Sequence, residues 1–195
     1  EDGGKSARPY QPADYYRHLN FPPRKYKPDQ DRNQYRRGVY VHWQRQFLHP
    51  MLRAFDAPSR EECTAQRSTS NTPLASLTLM NDPTFVESAR GFALKILRFI
   101  ESQDTAEIDQ DRDSQAISLA FQSALSRKPD EHELKILRRT LDLAREEFTA
   151  NPEMAKKYVD VGMVTNATDL DQVRLAAWTE VARTILNLNE LIVRP

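Results

Sequence analysis

Apolar residues recur with a helical period along most of this chain. Tyr35, Val39, Trp43 and Phe47 are spaced four apart and predict a helix from Asp31 to a stop at Pro50. Residues 51–73 keep no clean period and predict an irregular polar segment. A short apolar run from Leu74 to Met80 follows, closed by Asn81-Asp82-Pro83. Aspartate caps free N–H groups and proline suits a first helical turn, so Asp82-Pro83 predicts a helix start. Phe85, Ala89, Phe92, Ile96 and Ile100 then form the inner stripe of a helix ending near Glu101. Residues 102–112 are polar and acidic and predict a loop. Ile117, Phe121 and Ala124 predict a shorter helix to Arg127, before the break at Pro129. Asp130 and Glu133 make a capping-box pattern that opens the stripe Leu134, Leu137, Leu141, Ala144 and Phe148. Asn151-Pro152 ends that helix and starts a short one through Tyr158 to Val161, with Gly162 as its stop. A last helix is expected from about Asp169 to Leu191, with Val173, Ala177, Val181, Ile185 and Leu188 inward.

No segment alternates apolar and polar positions over a strand's length, and no repeat of fixed period occurs. The expected fold is therefore all-α: an irregular bundle of about five to seven helices joined by short loops. The first thirty residues differ in character. Residues 1–30 hold Pro9, Pro12, Pro22, Pro23 and Pro28, which disfavour helix, together with Tyr10, Tyr15, Tyr16, Phe21 and Tyr26. Aromatics at that density are foreign to disordered linkers. The expectation is an extended arm over 1–30, pinned by its rings to a single helical domain over 31–195. Leu97 and Phe99, and likewise Ile136 and Leu143, lie off the main stripes of their helices. They predict an apolar surface that another chain, a second copy or a further part of the same domain covers.

Composition narrows the function classes. Lys and Arg number 28, as do Asp and Glu, so the formal charge is zero and a general nucleic-acid binder is disfavoured. No run approaches the ~20 apolar residues of a membrane span, and no leader or transit segment is visible in these residues. A single cysteine, Cys63, excludes an internal disulfide, a haem-attachment pair and a cysteine-rich zinc site. Without a nearby base it reads as a small packed residue rather than a nucleophile. His18, His42, His49 and His132 form no metal-ligand spacing. Asp109, Asp111 and Asp113 alternate as a calcium loop would, but Ser114 and Ala120 stand where the turn glycine and the bidentate glutamate belong. They read as a solvated acidic loop.

The strongest candidate lies in the irregular segment, where Asp56, Arg60, Arg67, Asn71, Asn81 and Asp82 are concentrated. Arginine's fixed fork of donors can tie carboxylates and carbonyls together. Two readings stay open: a buried network that satisfies an irregular backbone, or a ligand site. Charge is also uneven. Residues 1–53 carry eleven Lys or Arg against five Asp or Glu, and residues 101–113 carry six acids and one Arg.

The irregular segment also carries a resemblance. Phe55-Asp56-Ala57-Pro58-Ser59-Arg60-Glu61, then Asn71-Thr72-Pro73-Leu74 and Asn81-Asp82-Pro83 resemble a planctomycete family, the domain of unknown function fifteen-fifty-three. Gly3-Gly4, Arg8-Pro9-Tyr10-Gln11-Pro12, Tyr35-Arg36-Arg37, Ala182-Arg183 and Leu186-Asn187-Leu188-Asn189-Glu190 extend the likeness. The resemblance implies an exported, multidomain protein associated with c-type cytochromes, of which this chain is the C-terminal part of a larger domain. It carries no established activity. It implies no cofactor in this chain and allows haem on an upstream or partner domain. The expected partner is a missing N-terminal half of the same domain or another protein chain, with no nucleic acid. Function is thus expected to be that of a non-catalytic helical interaction or scaffold module. The alternative is a ligand- or polysaccharide-binding or hydrolytic domain built on residues 56–82.

Overall fold

The structure, a computed structural model, describes residues 3–17, 25–43, 47–59, 63–66, 72–102, 109–164 and 169–192. Of these residues 64% are helical and none forms a strand, so the chain is all-α as its periodicity predicts. Eight α-helices occur among the described residues: α1 (Pro50–Ala54), α2 (Pro73–Asn81), α3 (Pro83–Glu101), α4 (Asp109–Leu125), α5 (Glu131–Ala150), α6 (Pro152–Val159), α7 (Gln172–Leu186) and α8 (Asn189–Ile192). The chain divides into two compact units, Glu1–Thr84 and Phe85–Pro195. Residues 1–30 and the segment after them belong to the first of these units. Gly3, Lys5, Ala7 and Tyr16 bond with Arg36, Tyr40, His42 and Phe47, so the described arm and the segment after it form one body.

In the second unit α5 and α7 largely follow the predicted stripes, whereas α3 buries Val86, Ala89, Ala93, Ile96 and Leu97 and leaves Phe85, Phe92 and Ile100 half-buried. Helix α7 packs on α5, α6 and α4. Leu175, Ala176, Ala177, Trp178, Thr179, Val181, Ala182 and Ile185 are buried along it. A helix buried on nearly every side sits at the centre of its bundle, and its alanines let neighbouring helices come close. Ile117 and Phe121 of α4, and Leu137, Leu141 and Phe148 of α5, complete the core. Leu97 belongs to that core at 1% exposure, whereas Phe99, Ile136 and Leu143 are exposed. Off-stripe position thus misplaced Leu97: α3 is covered on a wider arc than its main stripe spans.

The helix ends follow local chemistry. Helix α4 begins at Asp109, inside the stretch expected to be an acidic loop, so the alternating aspartates stand on a helix. Asp113 there pairs with Arg145 of α5 through two bonds of 2.6 and 2.8 Å. The capping box at α5 forms in full: Glu133 N–H donates to Asp130 Oδ1 at 2.7 Å, and Asp130 N–H donates to Glu133 Oε2 at 2.8 Å. Asp130→Ala is expected to cost about 1 kcal/mol of stability, read as a lower urea midpoint with an unchanged slope.

The first unit departs most from the periodicity. Among the described residues of 31–49, two short 3-10 turns, Arg32–Tyr35 and Gly38–Tyr40, stand where one helix is expected. The reason is tertiary. Ala7 N–H donates to the Tyr40 carbonyl at 2.8 Å, and His42 N–H donates to the Ala7 carbonyl at 2.6 Å. These bonds form a parallel bridge between Ala7 and Val41 and occupy groups that a helix would need. The stripe spaced four apart is accordingly not buried: Val39 is 71% exposed. Helices α1 and α2 appear instead inside the segment expected to be irregular or merely apolar. His49 and Thr72 cap them, each followed by proline in the first turn.

Candidate functional site

Of the six residues singled out between 56 and 82, Arg60, Arg67 and Asn71 lie outside the described residues. The other three occupy the ends of helices. Asp56 follows α1 with φ 54°, the left-handed conformation that ends many helices, and its N–H donates to the Arg53 carbonyl at 3.3 Å. Asn81 is exposed in the last turn of α2, where its Nδ2 donates to the Leu77 carbonyl at 2.9 Å. Asp82 Oδ1 accepts from Thr84 N–H at 2.9 Å, the N-cap its sequence predicts. Burial raises the Asp82 pKa, opposed by the bonds from Thr84. Cys63 is exposed rather than packed. His132 is exposed as well. Among the described residues no three His, Cys, Asp or Glu side chains are grouped to hold a metal ion.

A concave site lies elsewhere in the first unit. Gly3, Gly4, Lys5 and Ser6 form one wall of a cleft of about 440 Å³, and Val39, Tyr40, Val41, His42 and Trp43 form the other. Its walls are built by the local sequence. Gly3 and Gly4 take φ of 83° and 90°, a region L side chains rarely enter. The turn they make is clamped by Arg36, whose Nη2 donates to the Gly3 carbonyl at 2.5 Å and Nη1 to the Lys5 carbonyl at 3.2 Å. The same guanidinium lies over the Tyr40 ring, 4.1 Å from its centroid, a cation–π contact that joins the two walls. Arg37 lies 5.8 Å from that ring on the same segment. Lys5 and His42 are in the lining, and none of its described residues is a carboxylate.

Behind these walls an aromatic cluster anchors the arm. Tyr26 Oη donates to the Pro9 carbonyl at 2.7 Å, and Tyr16 Oη donates to the Phe47 carbonyl at 3.3 Å. Burial raises the pKa of both phenols. The Tyr16 ring meets Tyr26 edge-on and Tyr15 and Phe47 at a tilt, with centroids 5.5–6.0 Å apart. His49 is 1% exposed and lies 6.0 Å from the Tyr26 ring. Its Nδ1 accepts from Met51 N–H at 3.3 Å, which caps α1 and requires the neutral ring. Its Nε2 is buried. Burial lowers the His49 pKa to about 4, against the hydrogen bonds of the Pro9 and Tyr10 backbone, which raise it.

The strings that frame this cleft, Gly3-Gly4, Arg8 to Pro12 and Tyr35-Arg36-Arg37, are ones that carried the family resemblance. Reading them singly hid the site, because only the Ala7–Val41 pairing brings residues more than thirty positions apart into one wall-to-wall arrangement. No curated protein and no solved structure matches the chain. The model of the family described as PSD1, protein of unknown function (DUF1553), matches residues 1–141, which take in both walls of the cleft and the 56–82 segment. Arg183 and Asn189 therefore lie beyond the matched residues. With most of its length matched, the chain belongs to the DUF1553 family of proteins of unknown function.

Proposed function

We propose that this chain is a non-catalytic interaction module of an exported, cytochrome-associated protein, and that α2 is its docking helix. One observation carries the reading. Helix α2 has no charged residue, and Leu74, Leu77 and Met80 stand on its surface at 59%, 56% and 42% exposure. Among its nine residues the buried one is Ala75. A surface helix ordinarily turns its apolar stripe inward and its charges outward. An uncharged helix with leucines outward suits a protein surface that removes them from water, at roughly 25 cal/mol per Å² of apolar area. In this reading haem resides on an upstream or partner domain, and the partner is another protein chain or a further part of the same domain. No helix of the described residues is long and apolar enough to cross a membrane.

The test uses the full-length protein in its host, fractionated and followed by haem absorbance. The protein is expected in the exported fraction, eluting together with haem. Leu77→Asp is expected to separate it from haem, or to detach the domain from its neighbours in limited proteolysis, while leaving the melting temperature of the isolated chain within about 1 °C, since an exposed side chain is lost. Retention in the cytosol, or co-elution and proteolysis pattern both unchanged by Leu77→Asp and by Leu74→Asp, overturns the reading.

A further inference from the structure

We infer that the cleft between Gly3–Ser6 and Val39–Trp43 binds an acidic sugar, a pyranose ring that bears a carboxylate. This goes beyond the docking role of α2 and does not depend on it. The volume, about 440 Å³, lies within the range of ~300–1,000 Å³ typical of small-ligand sites. The lining combines two kinds of group. Trp43 offers ring surface for the C–H face of a sugar, and Lys5, Ser6, His42 and the Tyr40 hydroxyl offer polar and cationic partners for hydroxyls and an oxyanion. With no carboxylate among the described lining residues, a neutral sugar leaves the Lys5 charge unanswered and an anionic one does not. A bare inorganic anion, in turn, leaves the aromatic wall unused.

The cleft is also held in shape without a ligand. The bond donors of Arg36 that contact Gly3 and Lys5 fix one wall, its guanidinium rests on Tyr40 of the other, and the Ala7–Val41 bridge joins both. Binding then orders few side chains, which keeps its entropic cost low. The surrounding unit favours the same charge. Residues 1–84 carry thirteen Lys or Arg and nine Asp or Glu, and residues 85–195 carry fifteen and nineteen. The unit that contains the cleft is thus the positive one, and its field draws anions toward it.

The experiment titrates the full chain with digalacturonate, with the neutral disaccharide cellobiose and with sodium sulfate, following Trp43 fluorescence and heat. Trp178 is 2% exposed in the core of the other unit, so a ligand-dependent change reports on Trp43. Digalacturonate is expected to bind at least tenfold more tightly than cellobiose or sulfate. Lys5→Gln is expected to weaken it at least tenfold with the circular dichroism unchanged. Trp43→Phe is expected to abolish the fluorescence change while heat still reports binding. Equal affinity for cellobiose, equal affinity for sulfate, no binding of digalacturonate at millimolar concentration, or insensitivity to Lys5→Gln each overturns the proposal.

Discussion

Arg90→Ala is expected to destabilise the second unit by about 3–5 kcal/mol, the magnitude found when one partner of a buried ion pair is removed. Arg90 and Glu87 stand one turn apart on α3 and are each 6% exposed. Their own contact is long, 3.5 Å, so their main work is on the loop after α6. Arg90 donates to the carbonyls of Val159, Val161 and Val164, the latter two at 3.1 and 2.9 Å. Glu87 accepts from the N–H groups of Met163 and Val164 at 2.9 and 2.7 Å. Gly162 completes the arrangement with φ 111°, and a Cβ there would collide with the Glu87 carboxylate. Removing the guanidinium leaves a buried carboxylate without its cation and three carbonyls short of a donor. Urea unfolding monitored by Trp178, in a Trp43→Phe background, measures the loss. A change below about 1 kcal/mol would show that water replaces the guanidinium at little cost. Arg90→Lys is expected to fall between wild type and alanine, because an ammonium cannot reach along the loop as the planar fork does.

Acid is expected to weaken the first unit through His49. The buried ring holds its pKa at about 4 against a usual 6.5. The unfolded chain therefore takes up a proton between those values that the folded chain refuses. The contribution is complete above pH 6.5 and drains away as the pH falls from 6.5 to about 4. The gap corresponds to roughly 3 kcal/mol. Protonation would also remove the Nδ1 acceptor that caps α1 for Met51 N–H. His49→Asn keeps a capping side chain and cannot titrate. Stability profiles of wild type and His49→Asn should thus diverge between pH 6.5 and 4, the wild type falling more steeply. Parallel profiles over that window would remove His49 as the cause, since the carboxylates common to both proteins cancel in the comparison.

These two groups show what was not legible along the chain. Glu87 and Arg90, three apart on a helix, read as an ordinary solvated pair. Nothing local announces that a loop some seventy residues away lies over them. His49 reads as an unremarkable residue before a proline until the Tyr26 ring and the Pro9 carbonyl close over it. The 56–82 segment drew attention because it lacked a period. Its described polar residues serve helix ends, as short-range capping chemistry allows for Asp82 and Asn81. The cleft escaped notice because its walls come from two strings, each bland alone.

By itself, the sequence determined the all-α class, the stripes of α5 and α7, and the starts at Asp82-Pro83 and Asp130. Each depends on interactions within one or two helical turns: apolar spacing, a capping oxygen, a proline without an N–H. Family membership was legible for the same reason, being carried by short contiguous strings. Tertiary structure alone decided the rest. Over the described part of 31–50 it replaced the expected helix with two turns, because Ala7 takes up the backbone groups of Tyr40 and His42. It drew Leu97 inward and left Leu74 and Leu77 in water. It set Arg36 across a Gly-Gly turn to shape a cleft. Such outcomes depend on which distant groups compete for a backbone donor or a patch of apolar surface, and that competition is settled only when the chain is folded.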